Sequence, residues 1–356
     1  MQELNLSSLI TLNGVRVGPG EPAFIIAEIG VNHNGDLSLA KEMIDAAQDC
    51  GASCVKFQSF RTEEFMGSDV IYEYMSNGKL VAESMVEMFK RLELPMEWHR
   101  ELFEYANSKG VVPMTSVADR IIAQEVFELP ADGIKLASED LINIDLVDYV
   151  VSQKRPIIFS TGMADQEEVQ DVVDILKKYD HRDVAFLHCV SVYPTPFGEA
   201  NLRRMLQLRN FLGGGIVGYS DHTEGIDASV AAVAMGANII EKHFTLDKNL
   251  EGPDHSLSSD VDEFRELIHK IRQIEEMLGS SEIAPSLTEL SETRPKFRRS
   301  IVANRDINAG ERIQLSDLAY RRPGKGLRPR EREVIIGKTL KKLVKRNEVI
   351  LQEDVE

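Results

Sequence analysis

The sequence has few cysteines, no long apolar run and no excess of positive charge. Its three cysteines include no CxxC pair and no disulfide-type pattern, so a reducing compartment is expected. No segment approaches the ~20 apolar residues that cross a bilayer, and the first residues lack a basic start followed by an apolar stretch. Forty-one Lys and Arg against 58 Asp and Glu give a formal charge of −17, which disfavours nucleic acid and anionic membranes as partners. We therefore expect a cytoplasmic protein that holds any anionic ligand by local positive charge.

The distribution of apolar residues predicts a barrel. A chain of 356 residues with 43% hydrophobic side chains can form one large domain and a smaller one. Apolar segments of strand length alternate with segments of helical period, which favours a parallel sheet. The strand-like segments are residues 23–29, 54–57, 111–115, 133–136, 156–159, 184–188, 215–218 and 238–241. Eight such segments, with no GxGxxG after the first, predict a closed (β/α)8 barrel and not an open doubly wound sheet.

The rest of the chain suggests a second domain and an insertion. We expect the barrel domain to span residues 1–280 and the polar residues 281–297, which have no clear period, to form a linker. Residues 298–356 alternate short apolar pieces with turn sequences, which predicts a small, mostly β domain. Residues 61–93 are too long for a simple connection and form either a functional insertion over the site or a passive excursion.

Polar side chains follow almost every predicted strand, where the active site of such a barrel lies. Lys56 and Lys135 lie inside strand-like segments, and a buried ammonium group requires a bound anion or a carboxylate such as Glu28 or Glu241. Serines at strand ends commonly cap the next helix, but together with two lysines they suggest a phosphate site. These serines are Ser138, Ser160 and Ser220.

Three histidines, His188, His222 and His243, also end predicted strands. A single histidine there would more often make only hydrogen bonds, but several on neighbouring strands favour a divalent ion such as manganese, iron or zinc. Such an ion polarises an aldehyde oxygen. Beside a phosphate site, this predicts carbon–carbon bond formation between an enol phosphate and an aldehyde.

Several segments of the chain are distinctive enough to compare with known families. They are Phe24–Gly35, Val55–Gln58, Ser160–Met163, His188–Cys189, Tyr193–Pro196, Gly218–Thr223, Ile240–Thr245, Gly252–His255 and, in the last domain, Arg321–Gly326. These segments resemble the sialic acid synthases and the other nonulosonic acid synthases. The resemblance runs through both domains, because the C-terminal residues resemble the family's antifreeze-like (SAF, β-clip) domain.

The resemblance implies a transferase that condenses phosphoenolpyruvate with an N-acetylmannosamine-type aldehyde, giving a nine-carbon sialic acid and inorganic phosphate. Ala137–Asp140 and Thr115–Val117 depart from the family pattern. A 2,4-diacetamido-trideoxy sugar, leading to a legionaminic- or pseudaminic-type acid, therefore stays open. A phosphoenolpyruvate-dependent aldose phosphate synthase would need a second cluster of Lys and Arg, which the strand ends lack. A binding protein with a catalytically inactive barrel would not account for the charged side chains at several strand ends.

The resemblance also implies roles for individual residues. It implies that His222 and His243 bind the metal, usually Mn2+ with Mg2+ or Co2+ as alternatives, while His188 only supports the pocket. Arg322, with Arg321 as a competitor, is expected to enter the active site of the other subunit in a domain-swapped homodimer. The remaining implied roles are phosphoenolpyruvate binding by Lys56, Lys135, Ser138, Ser160 and Ser220, catalysis by Glu28, Glu241 and Arg322, and sugar binding by Gln58, Tyr193 and Asp254.

Overall fold

The computed structural model describes residues 5–76 and 78–356, and the chain divides into two compact units between Gly279 and Ser280. The first unit contains a closed barrel of eight parallel strands, in which each strand pairs with the next and the last pairs with the first. The barrel strands are β1 (Phe24–Gly30), β2 (Cys54–Ser59), β3 (Val112–Val117), β4 (Ile134–Leu136), β5 (Ile157–Ser160), β6 (Val184–Cys189), β7 (Ile216–Asp221) and β8 (Ile239–His243). The predicted barrel is confirmed, and every barrel strand overlaps a predicted segment.

A helix follows each barrel strand along the chain. These helices are α1 (Leu37–Cys50), α2 (Met96–Ser108), α3 (Arg120–Val126), α4 (Ile144–Ser152), α5 (Gln166–Tyr179), α6 (Arg203–Phe211), α7 (Asp227–Ala234) and α8 (Val261–Leu278). Helix α5 begins with a capping box between Asp165 and Glu168, and its buried side chains Val169, Val172 and Leu176 recur at helical spacing. Among the helices of residues 5–76 and 78–356, none combines the length and hydropathy of a membrane-spanning segment.

Side chains of the barrel strands alternate between the helix layer and the barrel interior. In β1, Ile25 and Ala27 pack in the cluster that contains the helices, whereas Phe24 and Ile26 belong to the interior cluster. The next interior position is Glu28, which is 2% exposed. The alternation that builds the apolar interior thus turns a polar residue inward where the strand ends.

A short N-terminal hairpin covers the interior at the opposite end of the barrel. Its strands, Ile10–Leu12 and Val15–Val17, pair antiparallel. The side chains of Ile10, Leu12 and Val17 are buried in the interior cluster, among residues at the N-terminal ends of the barrel strands. The apolar pattern of the sequence predicted no strand before residue 23, because two strands of three residues are too short to show an alternation.

The insertion after β2 is structured. It contains a short helix (Thr62–Phe65), an antiparallel pair of strands (Ile71–Ser76 and Lys79–Ser84) and a second helix (Met85–Leu92). Its apolar side chains form a cluster with residues from the barrel strand ends. The insertion is therefore a packed element above the barrel and not an unstructured connection.

The second unit is small and rich in short β pairings. Strands Ser300–Ala303 and Leu318–Arg321 pair antiparallel, and isolated bridges such as Ile307 to Val344 complete the framework. Its own apolar core lies around Ile301, Ile313, Leu340 and Ile350, and its first residues form helical turns at Glu289–Thr293 and Arg294–Phe297. The small, mostly β fold predicted for residues 298–356 is confirmed, and the two helical turns lie in the segment predicted as a linker.

Candidate active site

Side chains from the C-terminal ends of the barrel strands converge on one cavity, which is open to solvent. Strand alternation explains most of the convergence, because the site residues within strands occupy interior positions, while Ser138, Tyr193 and His222 lie just beyond strand ends. The predicted residues that line the cavity are Glu28, Lys56, Gln58, Lys135, Ser138, Ser160, Tyr193, Ser220, His222, Glu241 and His243. Asp254 lies beside His243, with 3.5 Å between its Oδ2 and the imidazole Nδ1.

Two lysines and two glutamates form a buried cluster inside this cavity. Nζ of Lys56 lies 3.0 Å from Oε2 of Glu28 and 3.6 Å from Oε2 of Glu241. Nζ of Lys135 lies 3.6 Å from Oε1 of Glu241, which also accepts a hydrogen bond of 3.0 Å from the Ser220 hydroxyl. The opposite charges compensate one another in a region from which most water is excluded. Glu28 and Glu241, the carboxylate partners that the sequence offered for the lysines, are thus in place. The cavity still leaves space for a ligand beside this cluster.

The pKa values of the two glutamates are driven apart. Burial raises the pKa of Glu28 to about 7, although Lys56 opposes the shift. Burial also acts on Glu241, but Lys135 and Lys56 outweigh it and lower the pKa of that carboxyl. Two carboxyl groups whose environments separate their pKa values in this way can take different roles, one exchanging a proton and the other staying ionised.

Backbone geometry fixes the hydrogen bond between Glu28 and its neighbour Gln58. Nε2 of Gln58 donates to Oε1 of Glu28 over 3.0 Å. Gly30 has a φ of +55°, and a Cβ atom there would lie 3.1 Å from Nε2 of Gln58 and 3.2 Å from Oε1 of Glu28. The glycine therefore permits both the strained turn at the strand end and the close approach of these two side chains.

Two of the three serines, Ser160 and Ser138, have hydroxyl groups that can still bind a ligand, whereas the Ser220 hydroxyl donates to Glu241. The hydroxyl oxygen of Ser160 is buried and has no hydrogen-bond partner in the part of the chain that the structure describes. The hydroxyl of Ser138 accepts from the backbone N–H of Gly162 over 3.0 Å, and its own proton faces the Cys189 sulfur, a weak acceptor that an anion can replace. A buried donor without a partner is costly unless a ligand satisfies it, so these groups fit an oxygen-rich anion.

Two imidazoles lie side by side at the ends of β7 and β8. The ring centroids of His222 and His243 are 5.4 Å apart, and the ring of Tyr193 lies 4.2 Å from that of His222. Nδ1 of His222 lies 3.0 Å from the Val190 carbonyl, which can only accept, so in the neutral ring Nδ1 carries the proton and Nε2 keeps its lone pair. Nδ1 of His243 is buried without a hydrogen bond to any described residue.

These features fit the donor set of a divalent ion, although the fit rests on two histidines. Among residues 5–76 and 78–356, no group of three or more His, Cys, Asp or Glu side chains is arranged to hold a metal. An ion at this position would take its other ligands from water or substrate, as catalytic metal sites do.

His188 occupies an outward position of β6 and donates through Nε2 to the Ala200 carbonyl over 2.8 Å. It is absent from the cavity lining.

The structure also adds residues that the sequence did not single out. Ser116 lines the cavity, whereas the neighbouring Thr115 faces outward and shares a hydrogen bond of 2.6 Å with Ser59. Strand alternation could have identified Ser116. Further lining side chains, from loops, from the insertion and from the end of β6, are Phe65, Phe89, Ala118, Glu139, Asp140 and Cys189. Burial and the neighbouring Glu139 raise the pKa of Asp140 to about 8.

Arg321 and Arg322 belong to the second unit. The guanidinium group of Arg322 lies 5.3 Å from the ring centroid of Phe297, and Arg321 donates to the side-chain oxygen of Asn304 over 3.2 Å. A cation over an aromatic face is stabilised by the ring quadrupole and remains available for another partner. The entry of either arginine into an active site stays a prediction.

Comparison with known proteins identifies the family. The sequence model of the NeuB family matches residues 43–283, and that of the SAF domain matches residues 298–356. This chain belongs to the NeuB family. The resemblance to nonulosonic acid synthases inferred from the sequence is thereby confirmed.

Relatives of this NeuB-family chain match nearly its whole length. The N,N'-diacetyllegionaminic acid synthase of Legionella pneumophila is 40% identical over 97% of this chain and 98% of that protein. The pseudaminic acid synthase of Helicobacter pylori is 33% identical over 94% of this chain and 98% of that protein. The solved N-acetylneuraminic acid synthetase of Leptospira borgpetersenii gives a TM-score of 0.72 at 34% identity, covering 81% of this chain and 96% of that one.

Proposed function

We propose that this protein is a nonulosonic acid synthase that condenses phosphoenolpyruvate with a 2-acetamido aldose, yielding a nine-carbon acid and inorganic phosphate. The observation that carries the proposal is the single cavity in which two lysines, two glutamates with separated pKa values, an unpartnered serine hydroxyl and two imidazoles meet. Its relatives named as legionaminic and pseudaminic acid synthases support the same reaction class.

The lysines and serines suit phosphoenolpyruvate, whose phosphate and carboxylate are both anionic. Lys56 and Lys135 supply positive charge, and Ser138 and Ser160 supply hydroxyl donors. Ser220, already bonded to Glu241, completes the phosphoenolpyruvate contacts that we propose. Such fixed donors stabilise charge that develops on the phosphate as it leaves, without reorganising during the reaction.

Glu28 is the proposed proton carrier. A bound anion raises the pKa of a neighbouring carboxyl further, so Glu28 enters the reaction protonated at neutral pH. It gives this proton to the aldehyde oxygen as carbon 3 of phosphoenolpyruvate bonds to the aldehyde carbon. It then accepts a proton from the water that adds to carbon 2, forming a hemiketal phosphate. In the last step the bond from carbon 2 to the phosphate oxygen breaks, the carbon 2 hydroxyl becomes the ketone, and its proton leaves with the phosphate. Glu241 stays ionised and holds both lysines in place.

His222 and His243 are the proposed metal ligands, with Mn2+ as the proposed ion and Mg2+ or Co2+ as alternatives. A divalent ion held there would polarise the aldehyde carbonyl as a Lewis acid. The Val190 carbonyl fixes the ring of His222, and Asp254 lies close enough to orient His243 or to contact the sugar. Gln58 and Tyr193 line the same cavity and are proposed sugar contacts.

The reaction is tested by measuring phosphate released from phosphoenolpyruvate in the presence of Mn2+. N-acetylmannosamine and a 2,4-diacetamido-2,4,6-trideoxy aldose are assayed in parallel, and mass spectrometry identifies the acid formed. Phosphate release that requires an aldose and yields a matching nine-carbon acid supports the proposal. Release that instead requires a phosphorylated aldose would favour the aldose phosphate synthase, and no release with any aldose would refute the assignment.

We further propose a cytoplasmic homodimer in which Arg322 of one subunit serves the cavity of the other. Arg322→Ala is expected to lose most activity, whereas the matched Arg321→Ala variant should keep it, because only Arg322 would meet the substrate. Mixing Arg322→Ala with Glu28→Gln subunits should restore about a quarter of wild-type activity, since half of the dimers are then mixed and hold one intact site. Subunit exchange demonstrated by native mass spectrometry without any recovery would contradict a shared site.

A further inference from the structure

Three phenylalanine rings form one wall of the cavity, which we call the phenylalanine wall. Phe60 follows β2, Phe65 ends the first helix of the insertion, and Phe89 lies in its second helix. The ring centroids are 5.4 Å apart for Phe60 and Phe65, 5.3 Å for Phe60 and Phe89, and 5.0 Å for Phe65 and Phe89. All three pairs meet edge to face, which is a favoured aromatic geometry. The wall is therefore a single packed unit.

Packing behind the wall holds the rings in place. Phe60 is 6% exposed and shares a cluster with the buried side chains of Val31, Met88 and Leu92. Phe65 and Phe89 pack against the same cluster but remain half-buried. The surface that these two rings present to the cavity is thus preformed, and it gains burial only when a ligand covers it.

The wall and the strand ends offer opposite chemistry within one cavity. Ammonium, carboxyl, hydroxyl and imidazole groups line the strand ends, where the reacting groups of the substrates are proposed to bind. Phe60, Phe65 and Phe89, with the neighbouring Ala118, carry no polar side-chain atom. A substrate hydroxyl pressed against this wall would lose water without gaining a hydrogen bond from it, whereas a methyl group would gain apolar contact.

We infer that carbon 6 of the aldose, the end remote from the reacting aldehyde, lies against the phenylalanine wall. The wall then selects aldoses that end in a methyl group, namely 6-deoxy amino sugars, over N-acetylmannosamine, which carries a hydroxyl at carbon 6. The inference rests on the proposed function and specifies its substrate class. Glu139 and Asp140 line the cavity too and could accept a hydrogen bond from a hydroxyl or an acetamido N–H. The decisive comparison therefore uses two sugars that differ only at carbon 6.

The test measures kcat/KM for N-acetylmannosamine and for its 6-deoxy analogue, 2-acetamido-2,6-dideoxymannose, with saturating phosphoenolpyruvate and Mn2+. The wild-type protein is expected to prefer the 6-deoxy sugar by about 10- to 200-fold, the range for one apolar group in a fitted pocket. Phe65→Asn and Phe89→Asn should bring this preference down at least about tenfold, mainly through KM for the sugar, with KM for phosphoenolpyruvate unchanged.

Two further variants separate recognition from folding. Phe65→Leu keeps an apolar side chain and is expected to retain the preference, so it stays informative if an asparagine variant unfolds. Leu80→Asn alters an exposed residue of the same insertion that is absent from the cavity lining, and it should leave the preference unchanged.

A wild-type preference for N-acetylmannosamine, or a preference that no Phe65 or Phe89 variant moves, would overturn the inference while the synthase assignment stands. Absence of phosphate release with every aldose would instead remove the proposed function and the inference with it.

Discussion

Replacing His222 or His243 by alanine is expected to lower kcat/KM by about 10³-fold or more while leaving the fold intact. Loss of the ion removes Lewis-acid stabilisation of several kcal/mol, and each 1.36 kcal/mol corresponds to a factor of ten in rate. Both rings line the cavity, and the buried Nδ1 of His243 has no hydrogen-bond partner among the described residues. His222→Ala removes one hydrogen bond, to the Val190 carbonyl, which is a small loss for a domain of this size.

Metal binding is measured independently of turnover. Wild-type protein should retain Mn2+ after dialysis and show a rise in melting temperature with added Mn2+, because an ion that binds only the native state stabilises it. Both effects should be lost in the two alanine variants. His188→Ala is the matched control, because its imidazole bonds to the Ala200 carbonyl on the outer side of β6. Unchanged manganese retention in His222→Ala or His243→Ala would refute the two-histidine site.

Glu28→Gln is expected to reduce kcat/KM by about 10²- to 10⁴-fold, the usual contribution of a positioned general acid or base. The substitution keeps the shape of the side chain and its place beside Lys56 and Gln58, but glutamine cannot exchange the proton. The variant should therefore bind phosphoenolpyruvate and Mn2+ and fail in the chemical step.

The pH profile identifies which carboxyl acts. Because the pKa of Glu28 is raised to about 7, its protonated form predominates below that pH and disappears above it. Wild-type kcat/KM should thus be level below about pH 7 and fall about tenfold per pH unit above it, and Glu28→Gln should lack this limb. Asp140 also lines the cavity, with a pKa raised to about 8, so Asp140→Asn serves as the control. A limb that vanishes in Asp140→Asn and persists in Glu28→Gln would transfer the proton-carrying role to Asp140.

The local pattern of apolar residues was sufficient to predict the barrel strands, because each strand is a short, strongly apolar segment bounded by polar residues. It also located Lys56 and Lys135, since an ammonium group inside such a segment is conspicuous. The same pattern could not tell which face of a strand a residue occupies until the first inward position was known. His188 and Thr115 illustrate this limit, because both lie one position away from an inward-facing residue and point outward in the structure.

The features of the structure that the sequence did not predict depend on contacts between segments that are distant along the chain. The N-terminal hairpin is buried only because the barrel interior presents apolar residues to Ile10 and Leu12. The separation of the pKa values of Glu28 and Glu241 depends on distances to lysines on other strands. The phenylalanine wall joins residues from two helices of the insertion to the end of β2, and nothing in the local sequence of Phe65 or Phe89 marks them as neighbours of the cavity.

The sequence by itself determined the alternation of strands and helices in the barrel, the number of barrel strands and the kinds of side chain at their ends. These follow from local hydrophobicity and from the short range of backbone hydrogen bonding. Only the tertiary structure decided which side chains face one another, how their charges interact and which apolar surface completes the cavity. Those properties arise from closing the barrel, which brings residues more than 200 positions apart, such as Glu28 and His243, into register on adjacent strands.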